Sequence, residues 1–109
     1  MNVGARTPEE LETLFEDSLV LRDRQMVAEL FEDGALLVVN DERAARGRAD
    51  IARLALLSWE GDHTYVANPE RVMQARDTAL IISRRGINVV RRGGDGTWRY
   101  VIVRQLVDD

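Results

Sequence analysis

The stretch that decides the fold is Gly93-Gly94-Asp95-Gly96-Thr97-Trp98-Arg99-Tyr100-Val101-Ile102-Val103-Arg104-Gln105-Leu106-Val107. It opens on glycines, for which a positive φ costs little, and so predicts a turn. It continues in β-branched and aromatic residues, which suit a pleated strand. Successive side chains of a strand point to opposite faces. One parity carries Trp98, Tyr100, Ile102, Arg104 and Leu106; the other carries Arg99, Val101, Val103, Gln105 and Val107. Neither set is plainly polar, so both faces of this last strand are expected to be partly covered. Such a strand asks for helices on one side and something else on the other.

Working back from that turn, residues 78–82 and 87–92 read as strands joined at Ser83-Arg84-Arg85-Gly86. Residues 65–76 read as a strand bent, or begun late, by Pro69. Before Gly61-Asp62 the period lengthens. Ile51, Leu54, Ala55 and Ser58 mark a helix over about 48–60. Residues 35–40 read as a short buried strand and 41–46 as a charged loop. Met26, Val27, Leu30 and Phe31 form the stripe of a short helix that starts at Asp23 and is ended by Asp33-Gly34. Leu11, Leu14, Phe15 and Leu19 form the stripe of the first helix. Thr7 caps it, Pro8 takes its first position and Glu10 completes a capping box. Residues 1–6 are expected to fray. Three helices enclosing one early strand, then a run of antiparallel strands, predict a single α+β domain over 1–109, with helices on one face of a curved sheet.

Composition removes several function classes. A chain of 109 residues is long enough for one domain and too short for two. Net charge is −4, so there is no basic excess to displace counterions, and nucleic acid is not an expected partner. All 15 basic residues are Arg, which reads as the codon usage of a GC-rich genome. The lack of Lys removes Schiff-base chemistry, and the lack of Cys removes thiol nucleophiles, disulfides and thiolate metal sites. His63 is the single histidine, so no His pair exists for a metal. No cofactor or metal is expected. No apolar run approaches the roughly 18 residues of a membrane span and no signal peptide is visible, so a cytoplasmic protein without a membrane partner is expected.

Four segments carry a resemblance. They are Arg22-Asp23-Arg24-Gln25-Met26-Val27-Ala28-Glu29-Leu30-Phe31-Glu32-Asp33-Gly34-Ala35, Arg46-Gly47-Arg48-Ala49-Asp50-Ile51, Arg76-Asp77-Thr78-Ala79-Leu80 and the final hairpin from Val89 to Ile102. In order and spacing they resemble the SnoaL-like proteins of the nuclear-transport-factor-2-like superfamily, whose cystatin-like fold is shared with ketosteroid isomerase. The resemblance implies a cone-shaped roll, three helices on a curved, mainly antiparallel sheet, enclosing a cavity. It does not imply one activity, because the fold hosts cyclases, isomerases, hydrolases and non-enzymes. The hairpin between 78–82 and 87–92 is shorter than the family's usual one, which predicts a shallower or more open rim.

The resemblance also implies positions. Val39 stands where ketosteroid isomerase has its base, Phe15 where it has a tyrosine hydroxyl, and Asn88 where it has an acid. Val cannot take a proton and Phe cannot donate to an oxyanion, so isomerase chemistry of that type is not expected. His63 and Asn88 remain the candidate catalytic residues. His63 lies in the polar connection Gly61-Asp62-His63-Thr64 and reads first as a surface loop histidine. Arg46-Gly47-Arg48 could hold an anion at a helix start, or simply turn the chain. Asp23, Asp33, Asp50, Asp62, Asp77 and Asp95 read as caps and turn formers. Arg84-Arg85 and Arg91-Arg92 are expected to pair with carboxylates.

Carried over from the family, the pocket is lined by Phe15, Leu19, Phe31, Val39, Ala55, Asn88, Val101, Val103 and Gln105, with Trp59 and Met73 at its mouth. This is an apolar wall with two amides and no ionised base. The same residues could instead meet and fill the space. Trp98, Tyr100, Ile102 and Leu106 then face the convex side, where an apolar row asks for cover. A homodimer through this face is expected, with Arg104 near the two-fold axis. Three readings stand open: a homodimer binding a small apolar or weakly polar molecule, a small enzyme with an unidentified acid or base, and a non-catalytic dimerisation domain with a filled core.

Overall fold

The structure is a computed structural model and describes residues 4–59, 65, 67–84 and 86–105. The first helix, α1 (Pro8–Val20), starts where the sequence places it. Thr7 Oγ1 accepts from the Glu10 N–H at 3.0 Å, and Pro8 occupies the first turn. Glu10 reaches back to the Arg6 N–H at 2.6 Å instead of to Thr7, so its half of the box is shifted by one residue. Ala5 is fully buried and bridges Trp98, so residues 4–6 are docked where fraying was expected.

The second helix, α2 (Arg24–Glu29), is capped by Asp23, whose carboxylate accepts from the Met26 N–H. It ends earlier than its apolar stripe suggests. The Leu30 carbonyl accepts from the Tyr100 N–H at 2.8 Å, which ties the chain to the last strand and makes Phe31 the first residue of β1 (Phe31–Asn40). Gly34 therefore lies inside a strand and does not stop a helix. The expected loop at 41–46 is a hairpin. Asn40 Oδ1 accepts from the N–H groups of Glu42 and Arg43, and this tight turn returns the chain as β2 (Arg43–Arg46). Gly47, at φ 90°, turns the chain into α3 (Arg48–Ser58), a conformation that favours glycine.

The remaining strands are β3 (Pro69–Ala75), β4 (Thr78–Ser83), β5 (Gly86–Arg92) and β6 (Trp98–Gln105). The six form one mixed sheet in the order β2-β1-β6-β5-β4-β3. β1 runs parallel to β6 and every other pair is antiparallel. The turn before β6 is the one the glycines predict: the Gly93 N–H donates to the Thr97 carbonyl, Asp95 Oδ1 accepts from the Thr97 N–H, and Gly96 has φ 80°. The helices pack on one face of the sheet, an α+β arrangement in which Leu11, Phe15, Phe31, Leu37, Ile51, Ile81, Val90 and Tyr100 form the centre of the core.

Strict alternation fails at one place in β6. Val89 of β5 pairs with Ile102, but Val90 pairs with Tyr100, so Val101 has no partner across the ladder. This bulge reverses the parity of everything before it. Trp98 and Tyr100 point inwards and are buried, as does Val103, while Ile102 and Arg104 point outwards. Trp98 and Tyr100 thus cannot belong to the convex face where simple alternation places them. α1 is likewise rotated from its expected stripe. Glu12 and Ser18 are buried, and Leu14 is only half-buried.

Candidate functional site

That rotation of α1 carries a carboxylate into the space between helices and sheet. Glu12 is 1% exposed. Its Oε1 accepts from the Tyr65 hydroxyl at 2.6 Å. Its Oε2 accepts from the Tyr100 hydroxyl at 2.6 Å and from Asn88 Nδ2 at 2.8 Å. Each donor comes from a different element. Tyr100 reaches in from β6 because the bulge turns it inwards. Asn88 sits on the inward parity of β5 with Val90. Tyr65 stands in the segment between α3 and β3. Asn88 and Tyr100 are buried, and Tyr65 is the partly buried member of the group.

The electrostatics follow from burial. The Tyr65 hydroxyl is pushed well above the ordinary tyrosine value, first by desolvation and then by the neighbouring Glu12 carboxylate. Tyr100 is raised in the same direction by the same two causes, with Tyr65 adding to them. Both phenols therefore remain protonated donors at neutral pH. Among the described residues no ion pair reaches Glu12. Removing a carboxylate from water is costly, and neutral hydrogen bonds return part of that cost. A carboxylate offers about four acceptor positions. Among the described residues Oε2 receives two donors and Oε1 receives one, which leaves Oε1 capacity for another.

Around this polar centre the surroundings are aromatic. Phe15, one turn after Glu12 on α1, lies edge-on to Phe31, Trp59, Tyr65 and Tyr100 at centroid separations of 5.7, 5.6, 4.7 and 5.3 Å. Trp59 and Tyr65 also meet, at 5.4 Å. Phe15, Leu19, Phe31, Ala55, Asn88 and Val103, expected in the pocket wall, and Trp59, expected at its mouth, are buried. Val39 is half-buried against the core. Gln105 is half-buried at the end of β6 and Val101 is half-buried at the bulge, on the outward side. Met73 pairs with Leu80 and is 50% exposed, on the parity opposite to Val72, which packs on the core. His63 and Leu106 lie outside the described residues.

The expectation of an interior without an ionisable acid is overturned by Glu12. Its signal was present: it stands three residues before Phe15 and seven before Leu19, on the face those residues share. Tyr65 carried no such signal: it reads as the start of a strand, whereas β3 begins at Pro69. Elsewhere carboxylates act as caps or partners. Asp33 pairs with Arg48, Asp50 with Arg53, Glu32 with Arg91, Asp77 with Arg92 and Asp95 with Arg99. Arg48 of the Arg46-Gly47-Arg48 turn donates to the Phe31 carbonyl and pairs with Asp33, a structural use. Among the described residues no cluster of His, Asp or Glu could hold a metal ion, and no helix is long and apolar enough to cross a membrane.

No protein-family model matches the chain, and no curated protein matches it. Solved structures do. A Thiobacillus denitrificans protein named for the association domain of calcium/calmodulin-dependent protein kinase type II aligns with TM-score 0.72 at 18% identity, covering 98% of this chain and 100% of that one. A nuclear-transport-factor-2-like protein with a cystatin-like fold from Novosphingobium aromaticivorans aligns with TM-score 0.71 at 21% identity, covering 92% of this chain and 79% of that one. A ketosteroid isomerase-like protein from Erwinia carotovora atroseptica aligns with TM-score 0.63 at 15% identity, covering 92% and 94%. At these identities the likeness is one of fold. The six-stranded mixed sheet, its helical layer and these neighbours together give the chain the nuclear-transport-factor-2-like, cystatin-like fold, a cone-shaped α+β roll.

Proposed function

We propose that the protein is a SnoaL-like homodimer that binds a small, mainly apolar molecule between helices and sheet, with one polar group set against Glu12. The observation that carries this reading is the buried carboxylate held by Tyr65, Asn88 and Tyr100. A buried acid with organised donors from three elements is a functional-site pattern. It supplies the acid or base that a small enzyme of cyclase, isomerase or hydrolase type needs, and Glu12 is the residue that would exchange a proton with the ligand.

Two experiments test it. A panel of small aromatic fragments, followed by NMR, is expected to shift the Asn88 side-chain amide and the Trp59 indole resonances together. No shift of either by any fragment removes the ligand site. Incorporation of solvent deuterium into enolisable fragments, present in the wild type and lost in Glu12→Gln, tests the proton transfer separately.

A second reading, a non-catalytic assembly domain with a filled core, is favoured by the packing of Phe15 against four other rings. It predicts that neither fragments nor xenon enter the protein.

A further inference from the structure

We infer that the polar group which Glu12 receives is a cationic nitrogen, so that the ligand belongs to the small organic amines. This rests on the ligand site proposed above and names its chemistry.

The first argument is the distribution of charge. The chain has 15 arginines, and they neutralise exposed or half-exposed carboxylates: Glu32, Asp33, Asp50, Asp77 and Asp95 each have one. The most deeply buried carboxylate among those described, Glu12, has neutral donors alone. Solvent screening makes the surface pairs worth little, whereas an uncompensated charge in the interior is worth much. Among the described residues, the place where a counter-charge matters most is the place left without one.

The second argument is the donor balance. Tyr65, Tyr100 and Asn88 all point a hydrogen at Glu12. The remaining capacity is an acceptor position on Oε1. A ligand group at that position must donate. A carboxylate, phosphate or carbonyl ligand has nothing to offer there, and an anion is repelled. A neutral hydroxyl fills the position and leaves the charge. An ammonium group fills the position and neutralises the charge.

The third argument is the wall. Phe15, Trp59 and Tyr65 meet one another edge to face, at 5.6, 4.7 and 5.4 Å, beside the carboxylate. Ring faces attract a cation within about 6 Å, more strongly when water is excluded. Tyr65 is the member of the polar group that keeps some exposed surface.

The test compares matched probes on the full chain. Benzylamine and phenethylamine are titrated against benzyl alcohol and phenethyl alcohol, read by NMR at the Trp59 indole and the Asn88 side-chain amide. Each amine is expected to bind at least about tenfold more tightly than its alcohol. Glu12→Gln, which keeps the shape and an acceptor oxygen, is expected to erase that preference. An alcohol that binds as tightly as its amine, or a preference that survives Glu12→Gln, overturns the cation assignment and leaves the ligand site standing. Failure of all four probes to bind the wild type overturns both. The wild-type comparison decides the matter even if Glu12→Gln does not fold.

Discussion

The two faces of the one sheet invert the usual expectation of where polarity sits. The outer face carries an apolar row, Leu36, Ile102, Val89, Leu80 and Met73, that crosses five strands in register. None of these residues is fully buried, and Ile102 is 38% and Met73 50% exposed. The inner face, sealed by the helices, has a carboxylate at its centre. Apolar content alone therefore does not identify the core of this chain; which side the helices cover does. The contrast also separates two kinds of residue. Inner residues answer to packing and hydrogen-bond satisfaction, whereas the outer row is free to change unless something covers it.

The largest expected effect sets neighbours on β6 against each other. Val103→Asp places a charge on the inner side, where several kcal/mol of desolvation have no compensation, and should leave no folded protein by circular dichroism. Ile102→Asp, one residue away, should fold with a stability within about 1 kcal/mol of the wild type. Equal effects at the two sites would mean that β6 does not turn Ile102 and Val103 to opposite faces.

Next comes the polar centre. Glu12→Ala leaves two phenols and an amide buried without an acceptor, at about 1–3 kcal/mol for each unsatisfied group. A loss of about 3 kcal/mol or more in urea unfolding is expected, and Glu12→Gln should lose clearly less. Tyr100→Phe keeps the ring and removes one bond to a charged acceptor, for about 1.5–3 kcal/mol. Tyr65→Phe should cost less, because Tyr65 is only partly buried whereas Tyr100 is fully buried. An order with Tyr65→Phe the most harmful of these three positions would break this account of the network.

The pH dependence has a definite sign. The chain has two tyrosines, and both are in the network. Their folded values lie above the ordinary 10.0. Below that value both states are protonated and the contribution to stability is complete. Above it the unfolded chain loses protons that the folded chain keeps, so stability falls as pH rises. Tyrosinate absorbance should therefore appear together with unfolding and not before it. A tyrosine that ionises near 10 in the folded protein would place that hydroxyl outside the cluster.

The fold was legible because its signals are local and repeated. The Thr7-Pro8 start, the Asp23 cap and the Gly93–Thr97 turn each act within a few residues, and each is found where it is read. Two readings failed because their causes are not local. Phe31 fits the stripe of α2, yet a bond from Tyr100 to the Leu30 carbonyl draws it into a strand. Trp98 and Tyr100 fit the outward parity, yet an unpaired Val101 reverses them. The site was less legible still. Asn88 was singled out, but its partner Glu12 reads as one more acid on a helix rich in them. Only the rotation of α1 against the sheet, which depends on packing across the whole domain, shows that Leu14 yields the inward position to Glu12.

The smallest effect on folding belongs to the outer face, and it bears on the proposed homodimer. Trp98 and Tyr100 are committed to the interior, so a sheet-to-sheet contact would have to use Ile102 with Leu36, Val89, Leu80 and Met73, flanked by Arg104. A row of this kind buried against its own copy gains roughly 25 cal/mol per Å² of apolar surface, and a charge at its centre removes that gain without touching the core. Ile102→Asp is thus expected to convert a dimer to a monomer in sedimentation while its unfolding midpoint, measured at concentrations where both proteins are monomeric, stays nearly unchanged. A wild-type chain that sediments as a monomer at high concentration would leave the outer row simply exposed. The difference between the two faces would then be one of helix cover alone.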